Sequence, residues 1–186
     1  MAEPAGTMGG MGAVDGLTLA EHYAAGEDLG RRRELVDGVL IVSPFASVRH
    51  ALAVQRLNQL LCAVCPPDLL VLGTINVDRE PATNLQPDVV VIRSAELDLP
   101  ATRLRPLLVV EVLSPTTRRF DETLKRRLYA EMGIPSYWLV DIEEPSLTVL
   151  ELERDDYRTA HRLVGETSVR IERPFAVTLA AADLTR

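Results

Sequence analysis

Leu107-Leu-Val-Val-Glu-Val-Leu113 decides the fold class of this 186-residue chain. The stretch is aliphatic except for one carboxylate, Glu111. Apolar residues that do not alternate with polar ones describe a strand covered on both faces, as in sheets packed between helical layers. Asp88-Val-Val-Val-Ile92 has the same character. It is entered through Pro87, at a strand start where a missing N–H breaks no ladder bond. Leu69–Val77 reads as a further strand. Tyr137–Ile142 and Leu147–Leu152 read as a pair joined by a Glu-Glu-Pro-Ser turn. Weaker strand signals follow at Tyr157–Leu163, Ser168–Ile171 and Phe175–Leu179.

Helical signals lie between these strands. Over Ser47 to Ala63, with Ser47 as cap, Ala51, Val54, Leu57, Leu61 and Val64 recur at helical spacing, and Leu60 widens the stripe. Pro66-Pro67 closes that helix. Asp121 to Met132 is a second helix, with Asp121 as N-cap and Gly133 as stop. Near the start, Thr18 to Ala25 is a short helix with Thr18 and Glu21 spaced as a capping box. Glu34–Ser43 is a hairpin turning at Asp37-Gly38. The expected fold is a single α/β domain over residues 15–186, with a mixed central β-sheet flanked by helices. Residues 1–14, rich in Gly, Ala and Met, are expected to be a disordered leader.

Composition narrows the function. Charged residues are 25% and hydrophobic ones 47%, the balance of a globular protein with a core. Apolar runs are only a few residues long, whereas a membrane helix needs about 20. No basic-then-apolar secretory signal opens the chain. Two cysteines, Cys62 and Cys65, cannot build a disulfide framework, and a cytoplasmic location is expected. The pair closes a helix rather than opening one after a strand, and no second pair completes a zinc site. Net charge is −7, the wrong sign for tight, non-specific nucleic-acid binding, though compatible with an acidic site neutralised by metal. Of 20 basic residues a single one is lysine, Lys125.

Three residues carry candidate chemistry. Glu111, inside a buried strand, costs several kcal/mol unless paired or metal-bound. A salt bridge to an arginine satisfies that requirement as well as a metal does. Asp88 stands at the mouth of a buried strand, although Pro-Asp is also an ordinary turn. Lys125 lies four residues after Asp121 on one helix face, as in a surface ion pair or as part of a site. Two acids on adjacent strands can hold Mg²⁺, which favours oxygen ligands and keeps waters for a phosphate. A lysine beside them adds a compact positive charge, suited to positioning water and stabilising the transition state.

Pro87-Asp88, Glu111-Val-Leu-Ser-Pro-Thr116, and Asp121…Lys125…Tyr129…Gly133…Tyr137-Trp138-Leu-Val-Asp141 together resemble a bacterial family of the PD-(D/E)XK superfamily. That family, formerly a domain of unknown function, is known as the putative restriction endonucleases. Leu19-Ala-Glu21, Glu34-Leu-Val-Asp-Gly38, Ser43-Pro44 and His50 extend the similarity, which runs from about Leu17 to Phe175. The resemblance implies a restriction-endonuclease-like fold and Mg²⁺- (or Mn²⁺-) dependent cleavage of phosphodiester bonds, with DNA as substrate. Asp88 and Glu111 match the acidic metal ligands, and Glu34 an acid that helps hold metal. His50 matches a recurring helix histidine, and Lys125 a lysine migrated from the usual place two residues after the acid, here Leu113. Pairing into a homodimer is compatible with the same resemblance.

Taken alone, Glu34 also fits strand-edge solvation, His50 a helix-surface position, and Tyr129 and Trp138 core anchors. Arg118, Arg119, Lys125, Arg126 and Arg127 against Asp121 and Glu122 leave a local charge of +3, and Arg31–Arg33 adds a basic run near Glu34, both suited to a phosphate backbone or to a solvated face. Two functions stand side by side: a metal-dependent endonuclease, and an inactive nucleic-acid or protein-binding module on the same fold.

Overall fold

The computed structural model describes residues 16–26, 31–44 and 46–185, so the expected leader lies outside the described residues. A capped helix α1 (Leu19–Ala24) precedes the hairpin β1 (Arg32–Val36) and β2 (Val39–Ser43). The long helix α2 (Val48–Val64) follows, capped by the Ser47 side chain. Four strands come next: β3 (Leu69–Leu72), β4 (Val77–Arg79), β5 (Thr83–Leu85) and β6 (Val89–Arg93). Then come β7 (Leu108–Leu113), a π-helical segment Phe120–Lys125, α3 (Arg126–Glu131) and β8 (Ser136–Asp141). The chain ends with β9 (Ser146–Glu153), β10 (Asp156–Val164), β11 (Val169–Ile171) and β12 (Val177–Leu179).

The central sheet has six strands in the order β10-β9-β8-β7-β6-β3. It is mixed, because β7 and β8 run parallel while its other neighbours are antiparallel. A parallel pair needs a crossover, and the helical stretch between β7 and β8 supplies it. A second, four-stranded sheet, β2-β1-β5-β4, stands apart from the expected single sheet. The apolar run Leu69–Val77 divides between the two sheets. Its first part pairs with β6, the chain then leaves strand conformation at Gly73, and Val77 pairs with Leu85.

β4 and β5 are three residues each, too short for periodicity to reveal them. Buried polar pairing fixes them: the Asn84 amide donates to Asp78 (2.6 Å) and the Tyr23 hydroxyl to the other Asp78 oxygen (2.7 Å). In the β1–β2 turn, Asp37 and Gly38 both take positive φ, as this tight hairpin demands. A Cβ on Gly38 would stand 2.9 Å from the Gly16 Cα, so glycine is needed there for close approach as well.

The pleat of the central sheet sorts side chains by parity. Val89, Val91, Leu108, Val110, Val112, Trp138 and Val140 face α2 through Ala53, Leu57 and Leu61. Val90, Ile92, Val109, Leu113, Tyr137 and Leu139 face the other way, toward α3 and the smaller sheet. Asp88 and Glu111 have the parity of this second face. Leu57 is fully buried against the sheet, and Leu57→Ala is expected to lower stability by about 2–5 kcal/mol, read from the urea unfolding midpoint.

Candidate active site

The second helix departs from its expected form. Asp121 does not cap it. Helical structure already begins at Arg118, and Asp121 lies inside the π-helical turn, buried. A tertiary contact marks the turn: the Tyr137 hydroxyl, reaching from β8, donates to the Asp121 backbone carbonyl (3.0 Å). In a π turn hydrogen bonds run from i to i+5, so residues four and five apart stack on one face. Asp121 and Lys125 therefore point the same way, and Tyr129 follows one turn on, all buried.

These side chains converge on the β6–β7 face. Lys125 is 2% exposed, and its Nζ lies 2.9 Å from Glu111 Oε1, 3.0 Å from Glu34 Oε1 and 3.4 Å from Asp121 Oδ1. The open reading of a surface pair between Asp121 and Lys125 is thus replaced by a buried cluster. Glu34 is oriented from β1 by the Gln86 backbone N–H (2.8 Å). The Val112 N–H donates to Asp88 Oδ2 (2.7 Å), which joins the start of β6 to β7 beside Glu111. His50, in the first turn of α2, places Nε2 3.3 Å from Asp88 Oδ1, so it faces the cluster rather than the helix surface.

All five residues singled out in the sequence come together. Three more were not assigned to the site by sequence reading. Arg32 Nη1 donates to Asp88 Oδ1 (2.9 Å), while its Nη2 stands 3.8 Å from Glu34 and 3.9 Å from Glu111. The signal available for Arg32 was its spacing, two residues before Glu34 and so on the same strand face. Asp121 was visible as the i−4 partner of Lys125. Tyr129 was read as a core anchor and is one. Its hydroxyl also donates to Glu111 Oε1 (2.7 Å), a bond that no local pattern signals. Trp138 is a core anchor, with its indole N–H on Ser136 Oγ (3.0 Å).

Four acidic side chains, those of Glu34, Asp88, Glu111 and Asp121, thus face two cations, Arg32 and Lys125, in a buried setting. Burial pushes the Glu111 carboxyl up to about 8, against the pull of Lys125, with Asp121 and Asp88 adding to the rise. Burial likewise raises Asp121, whose Oδ1 has no hydrogen-bond partner, again against Lys125. For Lys125 burial opposes the charge, but Glu111, Glu34 and Asp121 outweigh it and hold the ammonium above the ordinary lysine range. Burial also opposes the charge on Asp88, yet His50, Arg32 and the Val112 amide together lower it. Tyr129→Phe leaves Glu111 one donor short and is expected to cost about 1–2 kcal/mol of stability, measured by denaturant unfolding.

The cluster opens into a cleft of about 820 Å³, lined beyond the charged residues by hydroxyl and amide side chains such as Ser47, Gln55, Asn58 and Thr116. The basic run on the second helix does not form a free basic face. Arg118 pairs with Asp141 (2.6 Å), Arg126 with Asp156 (3.2 Å), and Arg127 with Asp37 and Glu131 (3.4 Å each). Cys62 and Cys65 are free thiols at the end of α2. Among the described residues no helix is long and apolar enough to cross a membrane.

The mixed sheet with helices on its faces has the restriction-endonuclease-like fold. The chain belongs to the Uma2 family, described as "Putative restriction endonuclease", whose model matches residues 19–183. It is similar in fold to a putative nuclease belonging to DUF820 from Anabaena variabilis ATCC 29413, known from a crystal structure. The TM-score is 0.75 at 19% identity, over 91% of this chain and 97% of that one. No curated protein matches the chain.

Proposed function

We propose that this chain is a divalent-metal-dependent nuclease that hydrolyses phosphodiester bonds, with DNA as substrate and Mg²⁺ or Mn²⁺ as cofactor. The observation that carries this is the buried convergence of Asp88, Glu111 and Lys125 in an open cleft. The donor set fits a hard cation in its chemistry: carboxyl oxygens from adjacent strands, with more acids than cations gathered around them. Among the described residues, however, no three His, Cys, Asp or Glu side chains stand in an arrangement that could hold a metal ion by themselves. Asp88 and Glu111 are the residues that would hold it, and Glu34 would assist.

A bound divalent ion supplies Lewis-acid charge to a phosphoryl oxygen. Lys125, kept protonated by its three acidic neighbours, is a donor rather than a base. It orients the attacking water and donates to a non-bridging phosphoryl oxygen as charge develops there. Glu34 and Asp121 hold the ammonium in place, and Tyr129 fixes the Glu111 carboxylate. His50 holds Asp88 from the side of α2. Pairing of two copies, so that both strands are cut, is part of the same reading, and sedimentation at micromolar concentration checks it.

The second reading, a binding module without turnover, is favoured by charge: the chain carries −7, and Arg118, Arg126 and Arg127 are tied up in ion pairs. Purified protein incubated with single- and double-stranded DNA in Mg²⁺, in Mn²⁺ and in EDTA separates the two. Metal-dependent cleavage is the expected result. Binding that is indifferent to metal, with no cleavage of either substrate, would establish the module instead.

A further inference from the structure

Arg32 occupies an unusual position. Its guanidinium reaches Asp88 at 2.9 Å and stands within 4 Å of both Glu34 and Glu111, so one planar cation spans three carboxylates from β1, β6 and β7. Its hydrogen bonding is incomplete. Nη1 donates to Asp88, whereas Nε and Nη2 are buried without any hydrogen-bond partner. Arginine–carboxylate pairs frequently close a fork, with two parallel hydrogen bonds. Here a single bond and two longer electrostatic contacts hold it, an arrangement set by charge and open to exchange.

We infer that Arg32 is the resident counter-cation of this carboxylate cluster, held where a divalent metal must sit, so that metal and guanidinium exclude one another between Asp88 and Glu111. The inference rests on the metal-dependent reading above and deepens it. Both cations would draw on the same carboxyl groups, and Arg32 already holds Asp88 Oδ1. Two positive groups brought within about 4 Å in a buried setting repel strongly. Without metal, Arg32 keeps the acids from facing one another bare. With metal, it swings out of the pair with Asp88.

The test is Mn²⁺ binding, followed by calorimetry and by the electron paramagnetic resonance of free Mn²⁺, on the full chain, Arg32→Gln and Asp88→Asn. Arg32→Gln is expected to bind Mn²⁺ about tenfold or more tightly than the unaltered protein, having lost a competing charge. It should also melt at a lower temperature in EDTA and gain more on metal addition. Asp88→Asn is expected to lose binding. Folded Arg32→Gln that binds Mn²⁺ no better than the unaltered chain would overturn the inference and leave the metal reading intact. Absence of binding by both would overturn the two together. If Arg32→Gln does not fold, a crystal structure of the unaltered chain with Mn²⁺ decides. The Arg32–Asp88 contact opening beyond 4 Å supports the exchange, and the pair remaining closed beside a bound ion refutes it.

Discussion

Lys125→Met is expected to abolish metal-dependent cleavage and, separately, to lower stability at neutral pH by about 3–5 kcal/mol, the usual cost of leaving a buried charge without its partner. The size follows from what Lys125 touches. Its ammonium is the shared counter-charge of Glu111, Glu34 and Asp121, and all four groups are buried. The stability loss has a pH signature. Burial already raises Glu111 and Asp121, and losing the ammonium raises them further. Groups raised above their unfolded values contribute stability below the unfolded carboxyl range, near pH 4, and lose it as pH rises through the folded value. The deficit of the variant should therefore be smaller below the folded Glu111 value, about 8, and widen as pH rises through it, as urea unfolding across pH would reveal. A deficit that stays constant over that range would mean that Lys125 is not the counter-charge of the cluster. Lys125→Arg should restore little, because a longer planar guanidinium does not reproduce a compact ammonium shared by three carboxylates. That is a physical reason for one lysine in a chain that otherwise uses arginine.

Asp88→Asn is expected to reduce cleavage by at least about 100-fold, since it neutralises a metal-holding carboxylate while keeping its shape. Asparagine can still accept the Val112 N–H, so the junction of β6 and β7 survives and the loss reports charge. The acid limb of stability gives an independent check. The folded Asp88 carboxyl lies below its ordinary value, through His50, Arg32 and the Val112 amide acting against burial. A depressed group contributes stability above the unfolded carboxyl range that disappears as pH falls through the folded value. Stability of the variant should accordingly vary less between about pH 4 and pH 2 than that of the unaltered chain. Equal acid sensitivity in the two proteins would show that Arg32 and His50 do not hold this carboxylate as described.

Much of this architecture can be read in the residues themselves. Apolar runs at Asp88–Ile92 and Leu107–Leu113 mark strands with no wet face, because a continuous aliphatic strand has no other stable setting. Ser47, Thr18 and Asp37-Gly38 set caps and a turn through chemistry confined to a few neighbouring residues. Glu111 announces itself as a carboxylate in an aliphatic strand, and Lys125 as the single lysine. Family resemblance joined these to Asp88, Glu34 and His50. Short strands and the helical π turn were not legible. Three-residue strands carry no period, and the π turn is tied to the Tyr137 hydroxyl on the Asp121 carbonyl, a contact across 16 residues.

What the chain alone determines, then, is local: which segments are strands or helices, where they stop, and which charges are too costly to bury without partners. Which partners those charges receive is decided in three dimensions. Arg32, Tyr129 and Asp121 enter the site because β1, the second helix and the β6–β7 pair meet at one face of the central sheet. The basic helix loses its free charge to acids from elsewhere in the chain, Asp37, Asp141 and Asp156. Electrostatic partnership acts through space at a few ångströms, across separations such as the 56 residues between Arg32 and Asp88. No periodicity within a segment can encode it.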